Sequence, residues 1–292
     1  MRAKICTVLT SMLVVALAGS ASFGSIIYES FDYEAGSLVG QNGGQGWGGS
    51  WNMPSTNGTQ EVTAESLSFS SYQTSGGALK LVKQADPGTF VSVGVRRQLG
   101  FDFTAGDDVW VSFLSKSDGE LSAMASRTAE VRHGATLGTT KLRIRPKGSG
   151  SQGIMVAYDG SASNSAAKSA QDGRTYLNIV RFGDIGTADG KFAVMWTFEE
   201  AGYNAMIADG IITEDELNQN YYLNAQDPHE NRTLNSLDSV YINLSDSQDP
   251  NFGYYFDELR YGTSLSDVLV IPEPMTMLLL GFGGLAVLRK KS

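Results

Sequence analysis

Alternation of apolar and polar residues marks much of the chain's interior as β-strand. Residues 191–198 (KFAVMWTF) show it most clearly, because every second residue from Phe192 to Phe198 is large and apolar. Residues 176–182 (YLNIVRF) have a similar composition, and Asp189-Gly190, a dipeptide typical of hairpin turns, lies between the two segments. The pattern therefore predicts a β-hairpin.

Further short segments have the same strand-like composition. They are residues 89–99, 109–114, 141–145, 154–158, 239–244 and 254–261. Asp-Gly and Asn-Gly dipeptides recur along the chain, and many short strands with such turns favour an all-β sandwich or jelly roll. Tight turns also explain much of the content of 34 glycines. The small polar residues 161–170 predict a loop, and residues 198–218 are the candidate helical region.

The N-terminus has the three parts of a secretory signal peptide. Arg2 and Lys4 make the start basic, residues 5–18 are mostly apolar, and the small residues 19–21 suit a signal peptidase. The single cysteine, Cys6, falls inside this signal. The exported chain would therefore contain no cysteine and no disulfide.

The C-terminus also has three parts. A Pro-Glu-Pro triplet comes first, formed by Pro272, Glu273 and Pro274. Residues 275–288 (MTMLLLGFGGLAVL) are apolar, and a basic tail of Arg289, Lys290 and Lys291 follows. As a helix the apolar stretch would cover about 21 Å, short of the roughly 30 Å hydrocarbon core, and its tail would stay cytoplasmic. An ordinary C-terminal membrane anchor is the alternative.

This triplet, apolar run and basic tail resemble the PEP-CTERM sorting signal of exported bacterial proteins. The resemblance implies recognition and cleavage by an exosortase, a membrane-embedded cysteine transpeptidase, after a transient stay in the inner membrane. It also implies a Gram-negative envelope, usually in an organism that makes exopolysaccharide. We therefore expect exosortase and signal peptidase as partners, and the cell envelope or extracellular matrix as the final location.

The body of the chain carries a second resemblance. Residues 28–51 (YESFDYEAGSLVGQNGGQGWGGSW) and residues 255–268 (YFDELRYGTSLSDV) look like the opening and closing segments of a common group of PEP-CTERM proteins. That group implies a concanavalin A-like, or laminin-G-like, jelly-roll sandwich. The expected organisation is a signal peptide over residues 1–24, a sandwich over 25–271 and a sorting signal over 272–292.

Charge and residue usage bear on function. The two ends contain five basic residues and one acidic residue, so removing them lowers the net charge from −9 to −13. Such an acidic body argues against a nucleic-acid partner.

The sequence gives little support to catalysis. The Glu-x-Asp-x-x-Glu pattern of concanavalin A-like glycoside hydrolases does not occur. The acidic clusters 199–200 and 214–216 are interpreted as solvated charge, although a carboxylate pair from separate strands stays open. His133 and His229 are expected at the surface, without a nucleophile motif. We therefore predict a protein that is not an enzyme.

Two weak metal candidates come from acidic residues. Residues 205–216 place Asp209 and Glu216 at the fifth and twelfth positions of an EF-hand loop, but the first and third positions lack side-chain oxygen. Asp257 is expected on the core face of its strand with Leu259 and Tyr261, where a carboxylate must be hydrogen-bonded, paired or metal-bound. Structural pairing is favoured, so no cofactor is expected, with calcium as the alternative.

Aromatic residues in loop-like surroundings are the candidates for sugar contacts. These are Trp47, Trp51, Tyr72, Tyr203, Tyr221 and Tyr222. The pattern singles out none of them as a ligand-binding residue. The sequence therefore predicts a non-enzymatic exported envelope or matrix protein. A carbohydrate-binding module of the exopolysaccharide matrix is the alternative, ahead of a polysaccharide-active hydrolase.

Overall fold

The computed structural model describes twelve stretches of the chain. They are residues 27–84, 91–103, 107–118, 128–134, 142–146, 154–158, 161–165, 173–183, 185, 192–227, 237–246 and 253–269. Both predicted processing signals lie outside these residues. No helix within the described stretches is long and apolar enough to cross a membrane.

Antiparallel strands dominate these stretches. The strands are β1 (Ile27–Glu29), β2 (Gly36–Ser37), β3 (Asn52–Thr56), β4 (Gly58–Val62), β5 (Leu79–Lys83), β6 (Val91–Phe103), β7 (Val109–Asp118), β8 (Thr128–Gly134), β9 (Leu142–Pro146), β10 (Ile154–Tyr158), β11 (Ser161–Ser165), β12 (Thr175–Gly183), β13 (Phe192–Phe198), β14 (Leu223–Asp227), β15 (Leu237–Asp246) and β16 (Gly253–Gly262). The helices are α1 (Glu200–Met206), α2 (Glu214–Asn220) and α3 (Leu265–Val268).

The strands form two sheets. The nine-stranded sheet has the order β14-β13-β12-β7-β16-β5-β4-β2, with β1 paired to the second half of β16. The seven-stranded sheet has the order β11-β10-β9-β8-β15-β6-β3. This confirms the predicted all-β sandwich.

Two apolar layers hold the fold together. The first lies between the sheets and includes Phe113 of the larger sheet and Ile242 of the smaller one, each about 1% exposed. The second covers the outer face of the larger sheet, where residues 67–72, α1 and α2 pack over Trp110 and Trp196. Burying both faces of the larger sheet removes much apolar area from water, the main driving force for folding.

The predicted hairpin is confirmed. β12 pairs with β13 in antiparallel register, from Leu177 opposite Phe198 to Gly183 opposite Phe192. The predicted alternation of β13 is also confirmed. Val194, Trp196 and Phe198 lie in the outer apolar layer, whereas Ala193 and Met195 lie in the layer between the sheets.

Two element predictions need correction. Residues 161–165 form β11 and pair with β10, although their small polar side chains suggested a loop. Cross-strand backbone bonding at a sheet edge does not require apolar side chains. The helical region over 198–218 is also not one helix, because α1 ends at Met206 and α2 begins at Glu214 after the Thr213 capping box.

A β-bulge in β16 changes which residues face the core. Glu258 has φ +52° and the pairing with β7 shifts between Asp257 and Arg260. Phe256 before the bulge and Leu259 after it both face the layer between the sheets. The prediction that Asp257 shares a face with Leu259 is therefore wrong, since the extra residue reverses the alternation.

Candidate functional site

Polar and aromatic residues occupy the outer face of the seven-stranded sheet, away from the larger sheet. In β15, Val240, Ile242 and Leu244 face the core, so Tyr241 and Asn243 face outward. The outward residues of the neighbouring strands are Arg96 of β6 and Glu130 and Arg132 of β8. We call Arg96, Glu130, Arg132, Tyr241 and Asn243 the Tyr241 face.

Tyr241 lies between two guanidinium groups. Its Cα partners are Arg96 on one side and Arg132 on the other. The guanidinium carbons of these two residues lie 5.2 and 5.6 Å from the centroid of its ring. Both distances are within the range of cation–π attraction. The flanking strands therefore hold the tyrosine as an aromatic centre between two positive charges.

A glycine makes room for this ring. Gly94 of β6 lies directly opposite Asn243, and a Cβ at Gly94 would fall 2.5 Å from the Ile242 carbonyl oxygen and 2.6 Å from Cε2 of Tyr241. A contact that short is sterically excluded. The absent side chain thus lets the ring lie close against the sheet.

Asn243 provides an unsatisfied donor next to the ring. The Tyr241 hydroxyl donates to Asn243 Oδ1 at 3.0 Å. Asn243 is only 1% exposed, yet its Nδ2 has no hydrogen-bond partner among the described residues. A buried amide without a partner costs about 1–3 kcal/mol, so a shift of the covering side chains that admits an acceptor would recover part of this cost.

The two arginines differ in their partners. Arg132 Nε donates to the carboxylate of Glu130, which is 1% exposed. The structure shows no ion pair for Arg96 with any described residue. Arg96 is half-buried. Within the described part of the chain, the Tyr241 face thus has one guanidinium without an anionic partner.

Burial raises the pKa of the Tyr241 phenol, although a hydrogen bond with Ser92 and the charges of Arg132 and Arg96 act in the opposite direction. The phenol therefore stays protonated at neutral pH and keeps its donor role towards Asn243.

A third arginine follows Arg96 and Arg132 in the strand register of the smaller sheet. Arg143 of β9 lies at the register position opposite Arg132.

The residues predicted for sorting lie outside the described part of the chain. These are Pro272, Glu273, Pro274, Arg289, Lys290 and Lys291. Their predicted roles remain predictions.

The metal candidates Asp209 and Glu216 have structural partners. Asp209 Oδ1 accepts from the Ile211 amide at 3.0 Å in an exposed turn. The Glu216 carboxylate accepts from the Thr213 amide at 2.8 Å and completes the N-terminal capping box of α2. The described residues contain no group of three His, Cys, Asp or Glu side chains placed to hold a metal ion.

Asp257 is buried and hydrogen-bonded. Its Oδ2 accepts from the Ser66 hydroxyl and, at 2.8 Å, from the Leu67 amide, while its Oδ1 accepts from the Glu258 amide at 2.7 Å. Burial is the main cause that raises the pKa of Asp257 to about 8. The carboxyl group anchors the loop around Leu67 to the outer face of the larger sheet.

His133 is in the core, not at the surface as expected. It is 1% exposed, and its Nε2 lies 2.8 Å from the Tyr261 hydroxyl. Burial lowers its pKa to about 3, so the ring is neutral at physiological pH. The alternation of β8 explains the error, because Val131 and His133 share the inward face. His229 lies outside the described residues.

Half of the six aromatic residues predicted as candidates for sugar contacts are buried. Trp51, Tyr72 and Tyr203 are at most 4% exposed and are therefore not available to a sugar. Tyr221 is 42% exposed, whereas Trp47 and Tyr222 are half-buried.

The glycine-rich opening segment is held by a buried ion pair instead. Arg97 binds Glu29 at 2.6 Å, with both side chains 1% exposed. Its other donors bind the carbonyls of Gly49 and Gly43 and the Asn42 side chain.

The acidic clusters 199–200 and 214–216 also have partners. Glu199 binds Arg174 at 2.5 Å, and Glu214 binds Arg181 at 2.7 Å. The Glu200 carboxylate accepts from the Ser70 amide. Glu199, Glu200 and Glu214 therefore bind neighbouring segments and are not simply solvated charges, as the sequence suggested.

The residues of the Tyr241 face were not predicted as a site from the sequence. The signal was present in residues 239–244 (SVYINL), where Ser239, Tyr241 and Asn243 alternate with apolar residues. Nothing local shows, however, that Arg96 and Arg132 flank the same tyrosine, because they are far apart in the sequence.

Comparison with known proteins gives a likeness of fold. No protein-family model and no curated protein sequence matches the chain. Among solved structures, an endo-β-1,4-glucuronan lyase from the fungus Trichoderma reesei aligns over 84% of this chain and 98% of its own, with 10% identity and a TM-score of 0.49.

Lectin domains give similar alignments. A Lotus tetragonolobus seed lectin aligns over 81% of this chain and 98% of its own, at 7% identity and a TM-score of 0.41. The carbohydrate recognition domain of Emp47p aligns over 81% and 97%, at 8% identity and a TM-score of 0.42. These TM-scores are below 0.5, so the sandwich architecture rests on the two described sheets and not on these alignments.

Proposed function

We propose that the protein binds a polysaccharide on the Tyr241 face. The observation that carries this proposal is the unpaired, buried Nδ2 of Asn243 beside an aromatic ring. A sugar offers an apolar ring face and hydroxyl acceptors together. The Tyr241 ring supplies the apolar contact, and Asn243 and Arg96 supply donors at its edge.

The arrangement of carboxylates around Tyr241 supports binding of a glycan without its hydrolysis. Glycoside hydrolases use two carboxyl groups, either about 5–5.5 or about 6.5–9.5 Å apart. Among the residues of β6 and β8 that lie opposite Ser239, Tyr241 and Asn243, Glu130 carries the carboxylate, and Arg132 forms an ion pair with it. We therefore propose a binding protein and not a hydrolase.

A glycan array with the purified full-length chain tests this proposal. We expect binding to at least one polysaccharide class and a loss of that binding in Tyr241→Leu. Tyr221→Leu is the matched control, because Tyr221 is an exposed tyrosine that follows α2 and lies over the larger sheet. This variant should bind the glycan as the wild type does.

Folding and turnover are measured on the same samples. An unchanged thermal midpoint shows that Tyr241→Leu is folded, and Tyr241→Phe, which keeps the ring, should retain most of the binding. Equal binding by Tyr241→Leu and wild type would contradict the site. New reducing ends in a bound glycan would contradict the absence of catalysis.

We also propose that the chain is exported and sorted. Residues 1–24 would direct it through the inner membrane, and exosortase would cut near Pro272, Glu273 and Pro274 while residues 275–288 hold the chain. The sequence features at both ends support this proposal. The sandwich would then reach the cell envelope or matrix, where polysaccharide is its expected partner.

A further inference from the structure

We propose that the polysaccharide bound at the Tyr241 face carries carboxylate groups, as in a polyuronate, and that Arg96 pairs with one of them. This inference rests on the proposed binding function and names its ligand class. It starts from the contrast between Arg96 and its neighbour Arg97, which point to opposite faces of β6.

Arg97 has no capacity for a ligand. It is 1% exposed and its guanidinium binds Glu29, Gly49, Asn42 and Gly43. Those contacts hold the fold between the sheets.

Arg96 is in the opposite situation. Its guanidinium carbon lies 5.2 Å from the Tyr241 ring centroid, the residue as a whole is half-buried, and it makes no ion pair with a described residue. Arg132, on the other side of the ring, already binds Glu130. A partly desolvated guanidinium gains most from an anionic partner, because charge-assisted bonds are about twice as strong as neutral ones.

The geometry favours a carboxylate. A guanidinium presents a planar fork that matches two carboxylate oxygens, and a uronate carries its carboxylate at the edge of the sugar ring. A ring stacked on Tyr241 would place that edge towards Arg96, and a shift of the side chains that cover Asn243 would let its Nδ2 donate to a second acceptor.

The overall charge does not supply the attraction. The chain has a net charge of −9, so a polyanion is repelled at long range. The recognition must therefore come from local contacts at Arg96, which makes a single substitution an informative test.

Calorimetry on the full-length chain provides this test, with three matched probes: a short oligogalacturonate, its carboxyl-reduced neutral form and a sulfated oligosaccharide of similar length. We expect the wild type to bind the oligogalacturonate about 10-fold or more tightly than the other two. Arg96→Gln should lose that preference, and Arg96→Lys, which keeps the charge without the fork, should be intermediate.

Arg174→Gln is the control for the loss of one positive charge, because Arg174 lies beside the larger sheet and pairs with Glu199. It should bind as the wild type does. An unchanged thermal midpoint shows that each variant is folded.

The outcomes separate this inference from the proposed function. Equal binding of the neutral or the sulfated probe would overturn the carboxylate preference and leave polysaccharide binding in place. An unchanged preference in Arg96→Gln would overturn the role of Arg96. Failure to bind any of these probes, or any glycan of the array, would overturn both proposals.

Discussion

Removing Arg97 should destabilise the protein more than removing any exposed arginine. The change Arg97→Met takes one partner from a buried ion pair and leaves the Glu29 carboxylate without its cation. Breaking a buried pair from one side costs about 3–5 kcal/mol, because the remaining charge is uncompensated. Two carbonyls and the Asn42 side chain also lose their donors, so we expect a loss in the upper part of this range.

The loss should depend on pH. Burial raises the pKa of Glu29 above its usual value in the folded protein, against the hydrogen bonds of Trp51 and Tyr33 and the charge of Arg97. Without Arg97 the charged carboxylate is less stable still. The contribution of an acid with a raised pKa is present at low pH and lost as pH rises, so the deficit of Arg97→Met should shrink on acidification.

Urea unfolding of the full-length chain, followed by tryptophan fluorescence, measures this loss. Trp47 and Trp51 report on the site directly, since their rings lie 4.8 and 5.5 Å from the Arg97 guanidinium. The control Arg174→Met breaks an exposed pair and should cost about 0–1 kcal/mol. An Arg97→Met loss no larger than that of the control, or one that grows on acidification, would refute the reasoning.

Three further changes test other parts of the structure. Asp257→Asn should flatten the pH dependence of stability, because burial raises the pKa of Asp257 from 3.8 to about 8. The stability that the protonated carboxyl group contributes, about 1.4 kcal/mol per pKa unit, is lost as pH rises through that value. Urea unfolding at several pH values measures this loss, and parallel curves for variant and wild type would contradict it. Gly94→Ala should cost about 1–3 kcal/mol of unfolding free energy, since its Cβ would fall 2.5 Å from the Ile242 carbonyl oxygen and 2.6 Å from the Tyr241 ring, and a neutral effect in thermal unfolding would contradict this close packing of β6 against β15. Replacing residues 272–274 by alanine should leave full-length protein at the inner membrane in fractionated cells, whereas unchanged processing would argue against exosortase.

The fold could be predicted where the determining pattern is local. The β12–β13 hairpin follows from alternation within 23 residues, and the structure shows the predicted antiparallel pairing and the predicted faces of β13. The bulge at Glu258 could not be predicted in this way, because the alternation of β16 is reversed by one residue in the left-handed region. Residues 161–165 were missed because edge pairing depends on a partner strand and not on their own composition.

The site escaped prediction for a similar reason. Arg96 and Arg97 are adjacent and chemically identical. Which face of β6 packs on the larger sheet decides that Arg97 forms a buried ion pair and that Arg96 faces outward. Tyr241 gains its arginine neighbours from strands that are distant in sequence. The aromatic residues that looked available to sugars, such as Trp51, are needed to pack the fold.

The central claim is that the outer face of the smaller sheet holds a polysaccharide. A crystal structure of the full-length chain with a bound oligogalacturonate tests it most directly. We expect a sugar ring against Tyr241 with its carboxylate at Arg96. A ligand bound elsewhere, for example in the open pocket lined by Tyr28 and Arg260 beside the larger sheet, would contradict it.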